Sequence, residues 1–306
     1  MNFIIFCITY PFIWLFSRLP MFILYLISDF FYGLLYYVFG YRKAVILKNI
    51  SYAFPEKSTK EKQEIAKKFY RHFTDIMVES IKSFSISENQ ILKRYTYINP
   101  ELVNKYAKEG KSIALVSAHL ANWEWSFSLP LVLDLNLFGA YNKLRNETFE
   151  KTLKENREKF GVKGATTANF IKLIKSNFEN NIQGAYILLS DQSPMVEKTF
   201  HWSAFFGVKI PVHTGAEMLA KNHDLVVINY RARKVKRGYY ETDFEVIAEN
   251  PKDFKNYEIT EKFLRITEKN VKEQPECYLW SHNRFKHAHR FEEWQEMQKA
   301  KQQTKK

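Results

Sequence analysis

Two short apolar runs, each stopping at a polar and titratable turn, constrain this chain more than any other feature. Residues 113–116, Ile-Ala-Leu-Val, are short and β-branched enough for a buried strand. The run stops at Ser117, His119 follows two residues later, and Asn122, Trp123, Glu124 and Trp125 complete the stretch. Residues 184–189, Gly-Ala-Tyr-Ile-Leu-Leu, repeat the pattern and stop at Ser190, Asp191 and Gln192. Open α/β sheets place their chemistry in turns at strand ends of this kind.

The surrounding segments fit the same class. Residues 137–141 read as another strand, and 225–231 with 240–247 as a pair joined across a basic turn holding Lys234, Lys236, Arg237 and Gly238. Helices are expected at 122–134, 148–160, 169–178 and 258–272, with Gly161 suited to the C-terminal cap of the second. Ser58 and Glu61 have the spacing of a capping box and open a long helix to about Ser83. Its Ile65, Phe69, Phe73, Ile76 and Met77 fall near one face, while Lys67, Lys68 and Arg71 occupy much of the rest. Residues 291–306 read as a polar helix fading into a frayed Lys/Gln-rich end. The alternation predicts one α/β domain over residues 41–306, a sheet flanked by helices.

The first forty residues are different. Residues 3–16 make about 21 Å of helix, short of a bilayer core of roughly 30 Å. Residues 21–39 reach about 28 Å but carry Asp29, and Arg18 with Pro20 separates the two blocks. No basic region precedes them and no small-residue cleavage site follows, so no removable signal is expected. Residues 1–40 read as a hydrophobic membrane anchor, spanning once or lying as a hairpin in one leaflet; a buried core helix is the plainer alternative. Arg42, Lys43 and Lys48 follow, which predicts that the body faces the cytoplasm. Across the chain 46 Lys and Arg oppose 33 Asp and Glu, a formal net charge of +13 that calls for an acidic partner: nucleic acid, anionic lipid or an acidic carrier protein. Cys7 and Cys277 are too few for a disulfide framework and fit a reducing compartment.

His119 has an intrinsic pKa near neutrality and suits a general base. Glu124 lies five residues on, an offset of about 140° on one helix, so the two side chains meet only if His119 sits in the turn and Glu124 on the helix after it. A surface His and an unrelated first-turn Glu is the alternative. Asp191 and Gln192 either position a substrate or cap the next turn. Arg145, Arg157 and Arg284 are candidate phosphate clamps, since a guanidinium matches that geometry. His282, His287 and His289 lack the Cys-x-x-Cys or His-Glu-x-x-His partners of a zinc site, so no metal is expected.

The spacing His119-x4-Glu124 on a strand–turn–helix resembles the glycerolipid acyltransferase superfamily. More narrowly, the chain resembles the lipid A biosynthesis acyltransferases, the lauroyl and myristoyl transferases of Gram-negative bacteria. The supporting stretches are Asn49 to Pro55, Ser190-Asp191-Gln192, Phe205-Phe206-Gly207, and Pro275 to Trp280 followed by His282, Arg284, Phe285 and Lys286. The resemblance implies transfer of a fatty acyl chain from acyl carrier protein to a hydroxyl of a lipid A precursor, at the inner membrane, without cofactor or metal. It implies His119 and Glu124 as the catalytic pair and supports Asp191, Gln192 and Arg284 as substrate contacts, with Asn122 and Arg145 as further candidates for that role. With no Gly-x-Ser-x-Gly and both cysteines in poor settings, the transfer is expected to be direct, without an acyl-enzyme. Other lipid acceptors (a lysophospholipid, an aminolipid or a pigment) keep the same chemistry. A basic, membrane-tethered nucleic-acid-binding protein is disfavoured, because no helix-turn-helix, RNA-recognition or zinc-finger signature occurs.

Overall fold

A computed structural model describes residues 2–143 and 146–303. Chain order begins with α1 (Asn2–Arg18), α2 (Met21–Gly33, prolonged by a π turn at Leu34–Val38), α3 (Lys43–Ala53) and α4 (Thr59–Lys82). The Ser58–Glu61 capping box opens α4 as expected. Next come α5 (Glu88–Leu92), β1 (Tyr95–Tyr97), α6 (Glu101–Lys108), β2 (Ile113–Ser117) and a 3₁₀ helix, Trp123–Leu131. Then follow β3 (Asn136–Tyr141), α7 (Glu147–Glu158), β4 (Val162–Thr166), α8 (Thr167–Glu179) and β5 (Gly184–Leu189). A small hairpin, β6 (His201–Phe205) and β7 (Val208–Val212), precedes α9 (Gly215–His223), β8 (Val226–Lys236), β9 (Tyr239–Ala248), α10 (Glu258–Glu273) and α11 (Phe291–Gln303).

The α/β reading holds. Seven strands form one sheet in the order β1-β9-β8-β2-β5-β3-β4, parallel throughout except for the β8–β9 hairpin. Side chains alternate between the two faces of the sheet. Ala114, Val116, Tyr186 and Val227 pack with α3, α4, α8, α9 and α10. Ile113, Leu115, Ala185 and Ile228 pack with α5, α6 and the 3₁₀ helix. Gly184 is required where β5 passes β3: a Cβ there would press within 2.6 Å of the Phe138 ring.

The expected helix over 122–134 is a 3₁₀ helix instead. Ser126 and Ser128 donate their hydroxyls to the carbonyls of Trp123 (2.7 Å) and Trp125 (2.8 Å), and Pro130 has no N–H, so the α-helical ladder loses its partners. Several elements were not anticipated: α3, α6, α9, β1, β4 and the β6–β7 hairpin. Edge strand β4 reads Val-Lys-Gly-Ala-Thr, too polar and glycine-containing to stand out.

Helix α2 lies along α4 and buries Leu24, Ser28 and Tyr32. Its opposite face exposes Phe22, Leu26 and Phe30, four residues apart, and Tyr37 to Phe39 continue the apolar surface. Met21–Val38 is long and apolar enough to cross a membrane.

Candidate active site

β2 and β5 are adjacent and in register, Ser117 opposite Leu189, and the Ser190 N–H donates to the Ser117 carbonyl at 3.0 Å. Two residues beyond each strand end, His119 and Asp191 are therefore brought side by side. Nδ1 of His119 lies 2.7 Å from Asp191 Oδ1. An ionised carboxylate only accepts, so the proton sits on Nδ1 and Nε2 presents a lone pair. The Gln192 amide Nε2 donates to that lone pair at 3.2 Å. The ring stands edge-on to Trp123, with centroids 5.4 Å apart.

Burial opposes charge on the imidazole, yet the charge and hydrogen bond of Asp191, with Glu124 adding to them, outweigh it and raise the His119 pKa above its ordinary value. Burial likewise pushes Asp191 up, but His119, through its charge and hydrogen bonds, and then the Arg284 charge hold the carboxyl below its usual range. Asp191 is 2% exposed. The pair is thus an ionised carboxylate bonded to a partly buried imidazole.

The turn carrying His119 is held along its length by residues 277–279. Leu120 forms an antiparallel bridge with Tyr278, the Ala121 N–H donates to the Cys277 carbonyl at 3.0 Å, and the Leu279 N–H donates to the His119 carbonyl at 3.1 Å. Ala121 has φ +49°, a left-handed backbone costing a non-glycine residue about 1 kcal/mol, and such strain persists only where surroundings enforce it. His72 Nε2 donates to the Ala121 carbonyl at 3.2 Å. Burial, helped by the Lys234 charge, drives the His72 pKa down to about 3, so that ring is neutral. Asn49 Nδ2 donates to the carbonyls of Trp280 (2.8 Å) and His282 (2.7 Å), and His282 Nε2 accepts from the Ser193 N–H at 3.0 Å. The stretches around Asn49, Asp191 and Trp280 thereby converge on one turn.

Several assignments change. Glu124 was expected to orient His119; the Nδ1 partner is Asp191, and Glu124 faces Arg157 at 3.5 Å. The reason is position: Asp191 projects from the neighbouring strand end, whereas Glu124 opens the 3₁₀ helix. Asp191, expected as a substrate contact, is instead bonded to the base. Asn122 was expected to contact substrate but is fully buried: Oδ1 caps the Trp125 N–H at 3.1 Å and Nδ2 donates to Glu79 at 2.6 Å. Arg284 was expected as a phosphate clamp. It is 1% exposed, donates Nη1 to the Pro211 carbonyl at 3.0 Å and packs over Phe205, so a substrate phosphate does not reach it. Gln192, also expected as a substrate contact, lies beside His119 Nε2. Arg145 lies outside the described residues. The sequence reading missed His213, Glu79 and His72. His213 closes β7 with the same strand-to-polar-turn pattern that marked His119, and that signal could have found it.

His119, Glu124, Arg157, Gln192 and His213 line a cavity of about 860 Å³ whose other walls include Phe127, Leu153, Val162, Phe170, Ile187 and Leu219. The walls mix these apolar groups with further polar ones, among them Glu150, Lys154, Glu158 and Thr167, and the volume suits a small-molecule site of roughly 300–1,000 Å³. Cys277 offers no nucleophile there, because burial pushes its thiol up to about 12.

The chain matches the family described as bacterial lipid A biosynthesis acyltransferase over residues 2–287. It is similar to a lipid A biosynthesis acyltransferase of Haemophilus influenzae, 24% identical over 236 residues that make up 76% of this chain and 72% of that protein. With a match over nearly its whole length, the chain belongs to the bacterial lipid A biosynthesis acyltransferase family and is an acyltransferase.

Proposed function

We propose that this enzyme passes a fatty acyl chain from an acyl carrier protein thioester directly to a hydroxyl of a lipid A precursor, at the cytoplasmic face of the inner membrane. The observation that carries the proposal is the Asp191–His119 pair, with His119 in the wall of a cavity that also offers apolar side chains. The acceptor hydroxyl takes the place of the Gln192 amide at Nε2 and gives up its proton there as its oxygen bonds to the thioester carbonyl. Asp191 stabilises the imidazolium that forms. The displaced Gln192 amide is the nearest donor for the developing oxyanion. Collapse expels the carrier thiolate, which recovers the proton from Nε2. Arg157 and Glu124 meet the acceptor's polar groups, and apolar side chains such as Phe127, Phe170 and Leu219 take the acyl chain.

The exposed Phe22, Leu26 and Phe30 face of α2 rests on lipid, and the net charge of +13 favours an anionic surface and an acidic carrier. Residues 1–40 then face lipid on one side and pack on the catalytic body on the other. The test is transfer from radiolabelled acyl carrier protein to a lipid A precursor by purified protein. His119→Ala should lower turnover by about two to four orders of magnitude while leaving membrane association intact. Near-wild-type transfer by that variant refutes the mechanism.

A further inference from the structure

The carboxylate of Glu79 on α4 is fully buried and takes hydrogen bonds from three separate parts of the fold. Tyr25 of α2 donates its hydroxyl to Oε1 at 2.8 Å. Asn122, three residues past His119, donates Nδ2 to Oε2 at 2.6 Å, and Tyr240 of β9 donates its hydroxyl to the same oxygen at 2.8 Å. The Glu79 carbonyl also accepts the Trp125 indole N–H at 3.2 Å. One side chain therefore joins the apolar N-terminal helix to the end of the strained turn that aims the imidazole.

The inner face of α2 is tied down at other points. Arg237 lies between two carboxylates, with Nη2 2.8 Å from Asp29 Oδ1 on α2 and 2.7 Å from Asp75 Oδ1 on α4. Ser28 donates to Asp75 at 2.7 Å, and the Arg237 guanidinium sits over the Tyr25 ring at 4.5 Å. Gly238, with φ +74°, lies so close beneath Tyr25 that a Cβ there would collide with its hydroxyl. Lifting α2 off α4 would break the Arg237–Asp29 pair and take the Ser28 hydroxyl away from the buried Asp75. The helix is held in place where it can transmit its position to the turn.

We infer that Glu79 is a positioning residue for acyl transfer, and that α2 acts through Tyr25 and Glu79 to hold the His119 turn in its working geometry. The apolar segment then belongs to the catalytic apparatus as well as to the lipid surface. The inference rests on the reading of His119 as the base.

The test uses the full-length protein with Tyr25→Phe, Glu79→Ala and Glu79→Gln, reading kcat and KM separately, membrane sedimentation, and hydrogen exchange of the Ala121–Trp125 amides. Tyr25→Phe, which removes one hydrogen bond to the buried Glu79 carboxyl group, should lower kcat about tenfold with KM and sedimentation unchanged. Glu79→Ala should lower kcat further, and Glu79→Gln should recover most of it, since its amide oxygen still accepts from Asn122 and Tyr240. Exchange at the turn should rise in Tyr25→Phe and Glu79→Ala and return towards wild type in Glu79→Gln. Because exchange does not depend on which group is the base, an active His119→Ala would sink the mechanism without explaining away a loosened turn. Wild-type kcat in folded Tyr25→Phe, with or without faster exchange, overturns the inference. So does a loss confined to KM. If Glu79→Ala fails to fold, Tyr25→Phe alone decides.

Discussion

Asp191→Asn isolates the charge behind the base. The amide oxygen can still accept from Nδ1, so the ring keeps its place and only the charge is lost. At the observed contact of 2.7 Å between Nδ1 and Oδ1 the charge centres are about 4 Å apart, worth about 4 kcal/mol at the effective dielectric of roughly 20 that suits protein sites. That energy acts on the imidazolium formed during transfer, so kcat should fall by about 10³-fold. The fall should persist at high pH, where the resting imidazole is neutral in both proteins. Asp191 outweighs burial in raising the His119 pKa, so the wild-type rate should rise with pH through a midpoint above 6.5. In Asp191→Asn that midpoint should move down. Glu124 pairs with Arg157 in a third-exposed position, so Glu124→Gln should cost about tenfold or less. The assay is single-turnover transfer from radiolabelled acyl carrier protein between pH 5 and pH 9. An Asp191→Asn enzyme within threefold of wild type, or one less impaired than Glu124→Gln, refutes the assignment of Asp191 as orienter.

Three further outcomes follow from the same geometry. Arg284→Ala should lower stability by about 3 kcal/mol in denaturant titration, because it leaves a buried cavity and removes positive charge near Asp191, while KM for the acceptor stays unchanged. Burial, then the Asp75 charge, raise the Glu79 pKa from 4.5 to about 7, against the hydrogen bonds of Tyr25 and Tyr240. Between those values the unfolded chain releases the proton that the folded protein keeps, so wild-type stability should fall as pH rises from 4.5 to 7. Glu79→Gln cannot titrate and should gain on wild type by about 3 kcal/mol across that window, read as melting temperatures at pH 5 and pH 8. Removing residues 1–40 should yield aggregated protein, visible in sedimentation and circular dichroism, because it bares the α4 face and takes Tyr25, Ser28 and Asp29 away from Glu79, Asp75 and Arg237; a soluble, folded and active truncation would contradict this.

Much of this protein is local and was legible in its residues. The capping box at Ser58 and Glu61, the strand at 184–189 and the polar turns after β2 and β5 depend on neighbours within a few positions. So does the apolar character of α2. The mainly parallel sheet followed from apolar runs alternating with amphipathic helices. What remained hidden was pairing between distant segments. Asp191 lies 72 residues from His119 and reaches it because β2 and β5 are adjacent in the sheet, an order no local pattern states. Glu124 stood nearer in sequence and pointed elsewhere. Arg284 reads on paper like a surface clamp, and only packing against Phe205 and Pro211 put it inside. Glu79 sits in a helix where any Glu is unremarkable, and only the approach of α2, β9 and the His119 turn makes its carboxylate the joint between them. Short-range sequence sets conformation and candidate chemistry, whereas burial and the meeting of charges depend on which surfaces the folded chain brings together.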